Sequence, residues 1–150
     1  MGLSHVDKHG QARMVDVSPK PKVRRTAAAR GMVRMAPETL QLVRDNALAK
    51  GDVLATARIA GITGGKRTAD LIPLCHNIAI DQLEVELELI ADGVAVSARA
   101  VCTDKTGIEM EALTAVSVAC LTVYDMCKAV DKDMRIDGVQ LVEKTKEQLE

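Results

Sequence analysis

Residues 83–89 read Leu-Glu-Val-Glu-Leu-Glu-Leu, a strict alternation of apolar and acidic side chains. Side chains on a strand point alternately to opposite faces, so this segment specifies a strand with one face wet and one face that must be covered. Asp92-Gly93 follows as a hairpin signal, and Val94 to Val101 supplies a partner strand. The chain must therefore build an antiparallel sheet and place something apolar on one side of it.

The rest of the chain provides that cover. Pro37-Glu38-Thr39 is a helix start leading into LQLVRDNAL, and Lys50-Gly51-Asp52 breaks that helix and caps the next. Val53 to Leu71 has helical spacing and is ended by Pro73, and Thr106 to Lys128 is a long, largely apolar helix. Arg24 to Met35 reads as β-like or irregular, and Met134 to Val142 as a closing strand. The order strand, helix, strand, strand, helix, strand is that of an α+β ferredoxin-like sandwich, an antiparallel sheet with helices packed on one face. Residues 1–23 are expected to form an N-terminal arm, ordered by docking and with a short strand at Met14 to Val17; 24–150 are expected to form a single catalytic domain.

Composition excludes several functions. A chain of 150 residues, 47% hydrophobic and 27% charged, has the balance of a soluble globular domain. No apolar run suggests a membrane span and the N-terminus lacks an apolar signal segment, so a cytoplasmic protein without membrane contact is expected. With a net charge of −1 and Tyr124 as the only aromatic residue, neither a basic field nor a stacking platform is available for nucleic acid. Cys75, Cys102, Cys120 and Cys127 lack metal-ligand spacing and sit in apolar surroundings, so they read as buried thiols with no metal site.

Chemistry-bearing residues gather in three places. Glu109 and Glu111 begin the long helix and Asp125 and Lys128 end it. At 100° per residue, Glu111, Thr114, Val118, Thr122 and Asp125 share a band about 80° wide, a smooth face suited to helix pairing. Glu111 and Asp125 are nonetheless about 21 Å apart along the axis, too far for one small ligand. Antiparallel pairing with a second copy would bring Glu111 of one chain near Asp125 and Lys128 of the other. A plainer reading has these charges only complementing the helix dipole, worth about 0.3–1 kcal/mol each.

The second place is Leu71 to His76, where His76 is the only histidine in an apolar segment, either a tuned acid or base or a satisfied core residue. Cys75 beside it is a poor candidate nucleophile, since no second histidine follows it. The third is Lys50, Arg58, Lys66 and Arg67 around a helix containing Gly64-Gly65. This is not a phosphate-binding P-loop, because Ala60 stands where the first glycine belongs and Arg67 where Ser or Thr belongs. The glycines still permit a close backbone approach to phosphate, and Arg67 can clasp an oxyanion. Arg24, Arg25, Arg30 and Arg34 form a further early cationic group.

The blocks MVDVS (14–18), KGDVLATARIAG (50–61), KRTADLIPLCH (66–76) and TGIEMEALTAVSVACLTVYDMCKAV (106–130) resemble the cyclic pyranopterin monophosphate synthase family, the C proteins of molybdenum cofactor biosynthesis. The resemblance runs from about Ser4 to Lys144. It implies a homohexamer, a trimer of dimers with sites at subunit interfaces. It also implies conversion of a cyclised dihydro-GTP to cyclic pyranopterin monophosphate with release of pyrophosphate. On matching positions, Lys50 and Lys128 become the acid–base pair, with Asp125 orienting Lys128 or exchanging its proton. His76 and Glu111 would contact substrate together with the backbone around Leu74, Cys75 and Met110, and Glu109 would bond the guanine-derived ring. Arg24, Arg67 and Lys144 become phosphate ligands, with Arg24 and Arg25 not distinguished, and Asp16 would set the arm across a neighbouring site. No cofactor is required; Mg²⁺ is left open. The rival expectation is a non-catalytic nucleotide sensor on the same fold. The chain departs from the family at Asn77, at Gly64-Gly65 and in a glycine-free tail, Thr145 to Glu150, which puts phosphate contacts from that tail in question.

Overall fold

In the computed structural model, which describes residues 2–150, the hairpin read from the alternation forms one side of a four-stranded antiparallel sheet, its first strand at the edge. Strand β1 (Val23–Arg34) is followed by α1 (Pro37–Arg44), α2 (Val53–Lys66) and the single turn α3 (Thr68–Leu71). The hairpin β2 (Ile80–Ile90) and β3 (Gly93–Asp104) comes next, then α4 (Glu109–Cys127) and β4 (Arg135–Glu147). The strand order β2-β3-β1-β4 is that of the ferredoxin-like sandwich.

Alternation decides which face is covered. Leu83 and Val85 of β2 lie under α2, while Glu84, Glu86 and Glu88 point away into solvent. On β1, Ala27, Ala29 and Val33 are buried under α4, with Gly31 beneath Val116 and Cys120. A core of Ala, Val and Cys side chains brings backbones close, as expected where no Trp or Phe fills space. By length and a mean hydropathy of 1.3, α4 would suffice to cross a membrane. It is the central core helix instead, with Ala112, Ala115, Val116, Ala119, Cys120 and Val123 fully buried.

Several boundaries move. Residues 53–71 are two helices, because Arg67 leaves helical geometry at φ −109°, ψ 16°. The β-like segment is a regular 12-residue strand, and β4 runs to Glu147, so the polar tail residues Thr145 to Glu147 pair with Arg24 to Thr26. Met14 to Val17 is not a strand. Its backbone is engaged otherwise: the Val15 carbonyl meets His76, and the Asp16 carboxylate accepts from the Ser18 amide and hydroxyl in a tight local turn.

The smooth face of α4 is not left for a second copy. Gly61, Gly64 and Gly65 of α2 pack against it: a Cβ at Gly64 would lie 2.6 Å from Val118 Cγ2, and one at Gly65 3.1 Å from the Glu111 carbonyl oxygen. The glycine pair therefore serves helix contact rather than phosphate approach, and Glu111 and Thr114 are buried inside their own chain.

Candidate active site

Helices α2 and α4 lie side by side in opposite directions, so the start of α2 meets the end of α4 and the reverse. This arrangement sorts the candidate residues into two groups.

At the C-terminal end of α4, Asp125 stands between two lysines. Its Oδ2 accepts from Lys50 Nζ at 2.8 Å, and its Oδ1 from Lys128 Nζ at 2.9 Å. Lys50 is placed by the turn that precedes α2, where Gly51 adopts φ +87° and Asp52 caps the helix by accepting from the Ala55 amide. Lys128 terminates α4, donating its amide to the Tyr124 carbonyl. All three side chains are about half exposed, at 52–57%. The hydrogen bond from Lys50, then that from Lys128, hold the Asp125 carboxyl at about 2, so it is ionised throughout the neutral range. A carboxylate gripping two ammonium groups at the surface has no core-packing function, and its lysines are placed where they could hold an anion or move a proton.

At the other end, Glu109, Met110 and Glu111 form the first turn of α4. Glu111 is only 4% exposed, and burial drives its carboxyl up to about 7, opposed by its own backbone N–H and reinforced by the neighbouring Glu109. A carboxyl titrating there can give or take a proton near neutrality. Glu109 Oε1 accepts from Lys144 Nζ at 3.1 Å, while its Oε2 is buried without a partner. Glu109 lies in a cleft beside Arg25, Gly107 and Lys144, Glu111 is buried behind it, and the fields of both reach Cys75. Burial first, then Glu111 and Glu109, push the Cys75 thiol up, the reverse of what a thiolate nucleophile needs.

Leu74, Cys75 and His76 occupy the irregular segment between α3 and β2. His76 Nε2 lies 2.6 Å from the Val15 carbonyl oxygen. A carbonyl only accepts, so Nε2 is the donor in this contact. Asp16 and Lys105 line the same hollow, with Lys105 Nζ donating to the Ser18 carbonyl at 3.2 Å. Arg67 follows the end of α2 at this side of the molecule, exposed. Arg24 is also exposed, whereas Arg25 donates to the carbonyls of Asp104 and Lys105, both at 3.2 Å, and braces the loop entering α4.

The structure thus brings together Lys50, Asp125 and Lys128, and separately Glu109, Glu111, Cys75 and Lys144, with His76 and Asp16 joined through the arm. It does not unite the two groups within one chain. Sequence reasoning missed Lys105, whose place immediately before Thr106-Gly107 in the family-like block was the available signal. Among the described residues no three His, Cys, Asp or Glu side chains converge as metal ligands would.

Comparison with known proteins supplies the remaining context. Residues 14–147 match the model of the MoaC family. A cyclic pyranopterin monophosphate synthase from Thermomicrobium roseum is 57% identical over 95% of this chain and 87% of its own length. Proteins of the same description from Novosphingobium aromaticivorans and Cereibacter sphaeroides are 55% and 59% identical, over 95% and 94% of this chain and 90% of theirs.

Proposed function

The chain belongs to the MoaC family, and on that premise we propose that it converts (8S)-3′,8-cyclo-7,8-dihydroguanosine 5′-triphosphate to cyclic pyranopterin monophosphate and pyrophosphate. It is then a phosphorus–oxygen lyase of molybdenum cofactor biosynthesis. The observation that carries this reading is the Lys50–Asp125–Lys128 cluster, with each lysine within 3 Å of one carboxylate.

Closing a cyclic phosphate and expelling pyrophosphate requires cations where negative charge gathers and proton carriers beside the rearranging ring. Lys50 and Lys128 form the acid–base pair, and Asp125, ionised throughout the neutral range, orients both ammonium groups. Glu111 and His76 contact the substrate, aided by the backbone of Leu74, Cys75 and Met110. Glu109, at the edge of the cleft beside Gly107, bonds the guanine-derived ring. Arg67, Lys144 and Arg24 take the phosphates, Arg24 because its side chain has no structural engagement comparable with that of Arg25.

The two groups lie at opposite ends of a 19-residue helix, so a complete site needs the lysine cluster of one subunit and the Glu111 end of another. A homohexamer, a trimer of dimers, provides such junctions. Since the seam of α4 is filled by α2, the contacts fall elsewhere, and exposed Val139, Leu141 and Val142 on edge strand β4 are apolar surface they would cover. Residues 1–23 act as the arm, with Asp16 reaching a neighbouring site, and 24–150 as the catalytic domain, working in the cytoplasm. Incubating the chain with the cyclised dihydro-GTP and following pyrophosphate and the cyclic product tests the reading. Binding without pyrophosphate release would instead identify a nucleotide sensor.

A further inference from the structure

Asp131 is a buried carboxylate that the proposed chemistry does not use. It lies in the loop between α4 and β4, 8% exposed. Its Oδ2 accepts from the Ala36 amide and from Thr39 Oγ1, each at 2.9 Å, and its Oδ1 accepts from the Asp133 amide at 3.1 Å. Ala36 is the N-cap of α1 and has no side chain able to cap it, which is among the poorest choices at that position. The N-cap's own amide and the Thr39 hydroxyl are held instead by a residue more than 90 positions away, Asp131, 95 from Ala36 and 92 from Thr39.

The two segments joined in this way carry the two lysines. Three residues before Asp131 is Lys128, and the turn between them is tight: the Val130 and Asp131 amides both donate to the Cys127 carbonyl, and Lys132 Nζ donates to the Lys128 carbonyl at 2.8 Å. From Thr39, 2% exposed, the chain runs through buried Leu40 and Val43 of α1 to buried Leu48 in the following connection and then to Lys50. The junction adds a second register to the packing of α2 on α4, one that the ion pairs to Asp125 would not supply by themselves. Pairs so exposed contribute little and do not fix a geometry.

We propose that Asp131 is a positioning residue that bolts the N-terminus of α1 to the end of α4 and so sets the separation of Lys50 and Lys128 at Asp125. This rests on the assignment of the two lysines to the reaction. A carboxylate suits that role, because the Ala36 amide above all keeps it below the usual carboxyl range despite its burial, so it stays charged against the helix N-terminus. Misplacing reacting groups by about 1 Å costs roughly 10²-fold in rate.

The test uses the full chain in its native oligomer, assayed for pyrophosphate release well below its melting temperature. Asp131→Ala should lower kcat by roughly 10- to 100-fold with KM changed much less, and should move the pH profile of kcat. Asp131→Asn, whose amide oxygen still accepts from Ala36 and Thr39, should recover most of the rate. If Asp131→Ala fails to fold, Thr39→Val removes one donor only and should still lower kcat. A folded Asp131→Ala or Thr39→Val with wild-type kcat and pH profile, whatever its melting temperature, overturns the inference. Lys50→Ala and Lys128→Ala in the same assay separate the two failures. If these keep the wild-type rate, the lysine assignment is wrong; if they lose it while both bolt variants keep theirs, only the bolt is wrong.

Discussion

The Lys50 ammonium donates to the Asp125 carboxylate at 2.8 Å across a separation of 75 residues, at a site where both side chains are half exposed. Surface pairs of this kind contribute little to stability. Lys50→Ala and Lys128→Ala should therefore melt within about 1 kcal/mol of the parent while losing at least about 10²-fold in pyrophosphate release. Circular dichroism and a turnover assay on the same samples check both halves. Wild-type turnover in either variant would remove the cluster from the mechanism.

Because Lys50, Asp125 and Lys128 belong to one chain, variants at these positions damage the same half of a composite site. Mixing inactive Lys50→Ala with inactive Lys128→Ala subunits should restore nothing. Lys128→Ala mixed with Glu111→Ala should restore part of the activity, since some junctions then join two intact halves. Absence of recovery from the second mixture, with mixed oligomers verified by mass, would mean that each chain holds a self-contained site.

Much of this was legible in the sequence. The alternation at 83–89 fixed the wet face of β2, and the turn at Asp92-Gly93 fixed its partner, because period-two patterning reports burial directly. The charges at both ends of α4 were equally plain. What covers the smooth face of α4 was not, since an angular count identifies a face without naming its neighbour. Gly61, Gly64 and Gly65 carried that information at spacings of three and four, yet beside Lys66 and Arg67 they read as a phosphate approach. The two arginines at 24 and 25 became distinguishable only once β1 turned them to opposite faces.

Gly61 gives that correction a test. A Cβ there would sit 2.9 Å from the Ala115 carbonyl oxygen and 3.2 Å from Ala119 Cβ, both fixed parts of a buried helix. Alanine gains about 1 kcal/mol in helix propensity, but forcing α2 away from α4 costs more, typically about 1–3 kcal/mol. Gly61→Ala should lower the denaturation midpoint. A midpoint equal to or above the parent's would mean that the two helices are not in such close contact.

Glu111 predicts a pH dependence of stability. Its carboxyl titrates at about 7 in the folded chain against 4.5 ordinarily, so the folded state binds this proton more tightly than the unfolded state. The stabilisation is complete below about 4.5 and is lost as pH rises through 7. Glu111→Gln, which stays neutral, should flatten that decline and melt higher than the parent at pH 8, with the two converging near pH 5. Parallel melting curves across that range would show that Glu111 is not the titrating group.

Arg24 and Arg25 stand side by side in sequence, but only Arg25 is built into the chain, through its bonds to the carbonyls of Asp104 and Lys105 at the entry to α4. Removing a charged donor from two partly buried carbonyls costs about 1–3 kcal/mol. Arg25→Ala should therefore lower the melting temperature, and by loosening the loop that presents Glu109 and Glu111 it should reduce kcat as well. Arg24→Ala removes no such bond and should leave melting unchanged. As a phosphate ligand, Arg24 would appear in KM, rising by about tenfold for the loss of one charge-assisted contact, with kcat less affected. The opposite pattern, a stability loss at Arg24 and a pure KM effect at Arg25, would exchange their roles and make Arg25 the phosphate ligand.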